Sequence, residues 1–188
     1  MRKIECIFLN LKAEEISKLI TFSENSLPDE CVALLFGKIF YNKKEKNFHY
    51  QLHEINEFQN TSGSPTSFSI DDFDLLAQKW LNAQKSGLKL ISLFHSHPNT
   101  AYPSQKDAIY MRNFEKFQNA QYLLDKKIQL NDLKNIQNKS AILSKKLRSK
   151  LKINNPSIIW TIYGNRSKKI NAFVLYKKRI FQCKIEIA

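Results

Sequence analysis

The residues best suited to chemistry lie in one stretch, residues 90–107, LISLFHSHPNTAYPSQKD. Its first five residues are apolar and predict a buried strand that runs directly into His95 and His97. Residues two apart on a strand point to the same side of the sheet, so both imidazoles project together from a rigid element. A short loop follows, and residues 104–107 resemble a helix start with Asp107 in its first turn. Two histidines and one carboxylate with an open fourth position are what a catalytic zinc ion needs.

Hydrolysis of an amide at such a site also needs a group that moves protons. A zinc-bound water has its pKa lowered to about 7, and a carboxylate near the metal can take its proton and give it to the leaving amine. Glu30, which opens the apolar segment ECVALLFG after a proline turn, is the candidate, and Asp29 is its immediate competitor. Contact between Glu30 and the histidines requires the fold to bring two distant segments together.

Each piece of this pattern also has a structural interpretation. A histidine pair on a strand often serves packing, Ser104 and Asp107 alone can form a capping box, and Glu30 can end a strand in solvent. The catalytic interpretation is favoured because the strand-end histidines, the proline-bounded loop, the helix start and the upstream glutamate all occur in the expected order. Other residues weigh less: His49 and His53 share a strand face, Cys31 is expected in the core, and Tyr102 either lines the cleft or packs in its loop.

The elements that must position these residues follow from hydrophobic periodicity and turn signals. Besides the histidine strand, strands are predicted at residues 3–9, 30–41, 48–58, 157–164, 169–177 and 179–187, the last as a lysine-protected edge strand. Helices are predicted from the N-cap Asn10 to about Glu24, from the N-cap Ser69 to the stop signal Gly87, and from Ser104 onward. The second helix is expected to bury a stripe formed by Ile70, Phe73, Leu76, Ala77, Trp80 and Leu81.

Composition limits the class of protein. The chain has 188 residues, 43% of them hydrophobic, which suits one domain with a sizeable core. Its three cysteines lack CxxC spacing and argue against a disulfide scaffold or a thiolate metal site. The N-terminus does not resemble a signal peptide, and the chain has no apolar run of about 18 residues. We therefore expect a cytoplasmic protein without a membrane span.

The net charge of +13 is concentrated in one irregular segment, residues 119–155. Between positions 126 and 152 this segment carries nine basic residues and one acidic residue, with leucines at helical spacing. We predict a basic, helical insertion, and we expect contacts with an acidic partner or RNA. The residues expected to make them are Lys145, Lys146, Arg148 and Lys150. A general enrichment in Lys, Asn and Ile is the alternative explanation for the charge.

Together, Glu30, the segment HSH at 95–97, Ser104 and Asp107 resemble the JAMM motif of the MPN-domain (JAB) metalloproteases. The segment PDECVALLFG resembles the glutamate-bearing strand of that family, and LISLFHSHP resembles its zinc strand. The resemblance implies one α/β (α+β) domain over residues 1–188, with a mixed curved sheet of the cytidine-deaminase-like kind flanked by helices. The basic segment at about 119–155 is then an insertion in this core.

The same resemblance implies roles for individual residues. His95, His97 and Asp107 would hold Zn²⁺ with a water as fourth ligand, Glu30 would act as general base and acid, and Ser104 would help to hold the developing oxyanion. The loop between His97 and Ser104 is one residue shorter than in the common eukaryotic pattern. This shorter loop must still bring Asp107 to the metal.

The implied function is a zinc-dependent isopeptidase that cleaves the amide bond after the C-terminal Gly-Gly of a ubiquitin-like modifier. Two alternatives stay open. One is a peptidase of the same fold that processes a sulfur-carrier protein. The other is a non-catalytic MPN scaffold that binds partners or RNA through its basic insertion.

Overall fold

The computed structural model describes residues 7–113, 158–176 and 179–187. The elements in chain order are β1 (Ile7–Leu11), α1 (Ala13–Asn25), β2 (Val32–Asn42), β3 (Asn47–Phe58), α2 (Phe73–Lys85), β4 (Lys89–His97), α3 (residues 105–113 described), β5 (Ile159–Gly164), β6 (Lys169–Tyr176) and β7 (Arg179–Ile187). The predicted insertion, with Lys145, Lys146, Arg148 and Lys150, lies outside the described residues. None of the helices described is long and apolar enough to span a membrane.

The seven strands form one mixed sheet in the order β1-β3-β2-β4-β5-β6-β7. Strand β2 is antiparallel to both β3 and β4, whereas β4 runs parallel to β5. The predicted mixed sheet is therefore present, but it does not remain a curved sheet with free edges. Strand β7 pairs in parallel with β1 and closes the sheet into a barrel, so the prediction that β7 is an edge strand is wrong.

Side chains on the two faces of the sheet form two hydrophobic clusters. One cluster packs Leu19 of α1 against the sheet, and the other packs Ala83 of α2 and Met111 of α3. In β4, Phe94 belongs to the first cluster and Leu93 to the second, so the strand separates the two cores. Because side chains alternate along a strand, the two histidines that follow Leu93 at intervals of two residues lie on the face covered by α2 and α3.

The helix starts differ from the sequence predictions. Helix α1 has Lys12 as its N-cap rather than Asn10, because Asn10 is still in β1 and pairs with β3 and β7. Helix α2 begins after Asp72, whose carboxylate accepts a hydrogen bond from the Leu75 N–H at 2.9 Å, rather than after Ser69. The predicted stop is confirmed: Gly87 follows the helix with φ of +71°, a conformation that favours glycine.

The predicted buried stripe of α2 is only partly right. Leu76 and Trp80 pack against the second cluster, and Ala83 is fully buried. Phe73 and Leu81, which we expected inside, are 69% and 54% exposed. The helix has apolar side chains on more than one face, and only its contact with the sheet selects the face that is buried.

Residues after β4 and after β5 continue side by side, which fixes the loop between the histidines and Asp107. The Asn165 N–H donates to the His97 carbonyl at 2.8 Å, and the Ser167 N–H donates to the Asn99 carbonyl at 3.0 Å. At Gly164 an added Cβ would lie 2.6 Å from the Ala101 nitrogen and 2.7 Å from the Thr100 carbonyl carbon. Only glycine permits this close approach of two backbones.

Substitution of Gly164 by alanine should therefore displace the loop that follows the histidines. We expect the free energy of unfolding to fall by about 2–3 kcal/mol, the usual cost of forcing extra atoms into a packed region. Urea unfolding of G164A measures this. Gly63→Ala is the control, because no atom lies within 4 Å of its added Cβ and only the strain of its positive φ remains. An equal or larger loss in G63A would contradict the packing argument.

Candidate metal centre

The end of β4 places two imidazoles side by side in a buried position. The Nε2 atoms of His95 and His97 lie 3.0 Å apart, and the two residues are 0% and 9% exposed. The His95 ring lies between hydrophobic neighbours, with the Phe68 ring centroid at 5.1 Å and the Trp160 ring centroid at 5.9 Å. The strand and these rings fix the position of His95 before any ion binds.

The first turn of α3 supplies the carboxylate. The Ser104 N–H donates to Asp107 Oδ2 at 2.6 Å, and the Asp107 N–H donates to Ser104 Oγ at 3.2 Å, which is a reciprocal capping box. Asp107 Oδ1 lies 3.2 Å from His95 Nε2, and its Oδ2 lies 3.1 Å from His97 Nε2. The short loop between His97 and Ser104 therefore brings Asp107 to the histidines. Asp107 caps the helix and faces both imidazoles at the same time.

The three side chains fit a single metal ion. A tetrahedral ion with bonds of about 2.0 Å places its ligand atoms about 3.3 Å apart. The spacings of 3.0, 3.1 and 3.2 Å between the two Nε2 atoms and the carboxylate oxygens are close to that value. Nδ1 of His95 has no hydrogen-bond partner in the described part of the chain.

The electrostatics of His95 and Asp107 favour the forms that bind metal, whereas those of His97 favour its protonated form, which a metal ion must displace. Burial lowers the pKa of His95 despite the nearby carboxylate, so this imidazole is neutral. Burial opposes ionisation of Asp107, but hydrogen bonds to His95 and His97 outweigh it and hold its pKa well below the usual range. Burial also works against a charge on His97, but Asp107 and Glu30 together raise its pKa. Neutral imidazole and ionised carboxylate are the ligand forms that a metal requires.

Glu30 reaches the same place through the pairing of β2 with β4. The register sets Val32 opposite His95, and beyond the strand the Ser96 N–H donates to the Cys31 carbonyl, so the preceding Glu30 lies beside His97. Glu30 Oε1 lies 4.0 Å from His97 Nε2, and the residue is 5% exposed. Burial raises the pKa of Glu30 to about 7, with Asp107 adding to the effect, while His97 and Lys106 oppose it. Glu30, and not its neighbour Asp29, lines the cleft.

The cleft above these residues lies between two loops. One wall is formed by residues 66–68 and the other by residues 97–104, and Tyr110 of α3 also contributes. Ser104 lines the cleft beside Asp107, and Tyr102, 59% exposed, lines it rather than packing inside its loop. Glu30, His97 and Asp107 therefore line this cleft, whereas the fully buried His95 does not.

Other residues considered from the sequence do not join the site. His49 stacks on Phe8 at 5.0 Å, on another part of the sheet, and His53 is exposed. Cys31 is 1% exposed and burial raises its pKa to about 11, which does not suit a nucleophile. It sits on the opposite face from Glu30, as expected.

Two residues near the site were not predicted from the sequence. Phe68 covers His95, and Asn60 binds the main chain of Glu30 with a hydrogen bond of 2.8 Å. The order Asn60-Thr61-Ser62 in a Gly- and Ser-rich loop is typical of an Asx turn and was the one available signal for Asn60. Nothing in the local sequence of Phe68 indicates a contact with a strand nearly thirty positions away.

Comparisons with known proteins show what the chain is similar to. A family model described as prokaryotic homologs of the JAB domain matches residues 12–126, more than half of the chain. No curated protein sequence matches significantly. A solution structure of a protein from Desulfitobacterium hafniense is 17% identical with a TM-score of 0.57, and the match covers 97% of this chain and 92% of that one. A solution structure of a protein from Salinibacter ruber is 15% identical over 95% of this chain and 90% of that one, with a TM-score of 0.49.

The first structural match shows similarity of fold alone, because its identity is low. The family match is more specific, since residues 12–126 contain Glu30, both histidines, Ser104 and Asp107. The chain therefore belongs to the prokaryotic homologs of the JAB domain.

Proposed function

We propose that the chain is a zinc-dependent hydrolase that cleaves the amide bond after the C-terminal Gly-Gly of a ubiquitin-like modifier. The observation that carries the proposal is the convergence of the two histidine Nε2 atoms and the Asp107 carboxylate within 3.2 Å, with the Glu30 carboxylate 4.0 Å from His97. Two imidazoles and one carboxylate favour zinc over calcium or magnesium, which prefer oxygen ligands.

The residues around this centre can take separate roles in amide hydrolysis. Zinc, when bound, supplies a Lewis acid that polarises the carbonyl and makes water more acidic. Glu30 would accept a proton from the attacking water and return it to the leaving amine, and a pKa near neutrality suits both roles. Ser104 Oγ accepts the Asp107 N–H, which leaves its own proton available for the developing oxyanion.

The lining of the cleft supports a substrate whose C-terminal tail is Gly-Gly, which has no side chains. The lining of the cleft includes short polar residues from both loops, Thr66 and Ser67 in one and Asn99 and Thr100 in the other. A Gly-Gly segment can lie between two such walls in an extended form, and its peptide groups can bind them through hydrogen bonds.

A peptidase that processes a sulfur-carrier protein is the second candidate, and Lys106 favours it. This lysine lines the cleft close enough to Glu30 to oppose the rise of its pKa. Its charge suits the free carboxylate of a short C-terminal extension, whereas an isopeptide linked to a lysine offers no such anion.

One experiment compares the candidates. The zinc-loaded protein is incubated with the same modifier carrying either a short C-terminal extension after Gly-Gly or a lysine isopeptide at that position. Faster release from the isopeptide supports the proposed function, and faster release of the extension supports processing. Hydrolysis of neither, across a panel of modifiers, would contradict both and favour a scaffold.

Glu30→Gln should reduce turnover by about 10²–10⁴-fold, the usual contribution of a general acid–base group. The zinc content measured by metal analysis should stay at one ion per chain, because Glu30 is not among the three converging ligands. Asp29→Asn is the matched control and should retain turnover. Undiminished turnover in E30Q would remove Glu30 from the mechanism.

Asp107→Asn should weaken zinc binding by more than about 100-fold, since it removes the only ionised ligand of the three. The substitution keeps the side-chain volume and an acceptor for the Ser104 N–H, so the start of α3 is preserved. Competition with a chromophoric chelator measures the affinity, with the exposed Asp71→Asn as control. Full zinc affinity in D107N would overturn the ligand assignment.

Because the pKa of Glu30 is raised, we expect the free energy of unfolding of the metal-free protein to depend on pH. The folded state holds this proton up to about pH 7, against an ordinary value of 4.5, so the stabilising effect is complete below pH 4.5 and is lost as the pH rises through 7. Glutamine does not titrate, so E30Q should gain about 2 kcal/mol relative to wild type between pH 5 and pH 8. Urea unfolding in a chelator at both pH values measures this, and a pH-independent difference would contradict it.

A further inference from the structure

Asn60 lies just beyond β3, and its side-chain amide makes four hydrogen bonds. The Nδ2 group donates to the Glu30 carbonyl at 2.8 Å and to the Ser67 carbonyl at 2.9 Å. The Oδ1 atom accepts from the Ser62 N–H at 2.9 Å and from the Ser69 N–H at 3.0 Å. These bonds use every donor and acceptor that an amide has, so no other side chain can replace all of them.

The Glu30 main chain is held from two directions. On one side β4 fixes the next residue, because the Cys31 N–H donates to Ser96 Oγ at 2.9 Å and the Ser96 N–H donates to the Cys31 carbonyl at 3.2 Å. On the other side, the Glu30 carbonyl is bound by Asn60. The first contact ties Glu30 to the histidine strand, and the second ties it to a loop.

The loop held by Asn60 is the wall of the cleft. Residues 61–69 fold back on the Asn60 amide, and the Thr61 N–H donates to the Ser69 carbonyl at 3.1 Å. Residues 66–68 face the cleft, and the ring of Phe68 packs on His95 at 5.1 Å and on Tyr110 at 6.0 Å. One amide therefore connects the carboxylate-bearing residue with the surface that a substrate must touch.

We propose that Asn60 is a positioning residue that joins Glu30 to the substrate-facing wall at residues 66–68, so that both are held in one arrangement before substrate binds. This inference rests on the proposed function. Asn60 does not touch the reacting atoms, and it acts by fixing the main chain of Glu30. Its loss should reduce kcat more than it changes KM, because a misplaced base slows proton transfer even when substrate is bound.

Asn60→Asp tests the hydrogen bond from the Asn60 side chain to the Glu30 carbonyl. A carboxylate of the same shape still accepts from the Ser62 and Ser69 N–H groups, but both donors to Glu30 and Ser67 are lost and a charged oxygen repels those two carbonyls instead. Ser62→Ala is the matched control, because it removes another bond to the Ser67 carbonyl, from Ser62 Oγ at 2.7 Å, without touching Glu30. We expect kcat to fall at least about 10-fold in N60D and less than about 3-fold in S62A, with zinc content unchanged in both.

Two further measurements separate positioning from general loss of structure. In an E30Q background, N60D should have no additional effect on single-turnover rates, since a residue that acts through Glu30 has nothing left to position. Amide hydrogen exchange at Cys31 should be faster in N60D than in wild type and unchanged in S62A. If N60D does not fold, Asn60→Ser retains a turn-forming hydroxyl that is too short to reach Glu30.

The exchange measurement does not depend on a substrate. If wild type hydrolyses no modifier while N60D or N60S still speeds exchange at Cys31, the proposed function fails and the link between Asn60 and Glu30 stands. A kcat within 2-fold of wild type together with unchanged exchange at Cys31 would overturn the inference, as would an additive effect of N60D in the E30Q background.

Discussion

The antiparallel pairing of β2 with β4 is the interaction on which the rest of the site depends. It sets Val32 opposite His95, and beyond the strand two hydrogen bonds between Cys31 and Ser96 bring the preceding Glu30 beside His97. Glu30 and the two histidines are therefore placed by the strand pairing and by the hydrogen bonds that continue it. Such placement is precise because a strand pairing resists the small displacements that a flexible loop would allow.

This arrangement concentrates polar groups in a part of the protein that excludes water. Glu30, His95, His97 and Asp107 are each less than 10% exposed, and burial shifts their pKa values in opposing directions. Buried charges are costly unless they are paired: Asp107 is paired with both histidines, whereas ionisation of Glu30 in the metal-free protein costs stability. A cation at the centre of the three ligand atoms would offset that cost, which links metal binding to stability as well as to chemistry.

Local signals were sufficient for the parts of the fold and site that depend on short stretches of chain. The strand before His95, the capping box of Ser104 and Asp107, the stop at Gly87 and the bounds of β7 all follow from residues within a few positions of each other. The start of α2 at Asp72 rather than Ser69 is a local error, but the other predictions that failed depend on distant contacts. The buried face of α2 is chosen by the sheet beneath it, and β7 is not an edge because β1, at the other end of the chain, pairs with it.

The sequence by itself determined which residues of this protein could bind a metal, which two carboxylates could move protons, and the order in which they occur. Residue type and spacing suffice for this because strand alternation and helix capping are local rules. The tertiary structure alone decided that Asp107 reaches both histidines, that Glu30 rather than Asp29 enters the cleft, and that Asn60 ties Glu30 to the cleft wall. Those contacts join segments far apart in the chain, and no local pattern encodes the distance between them.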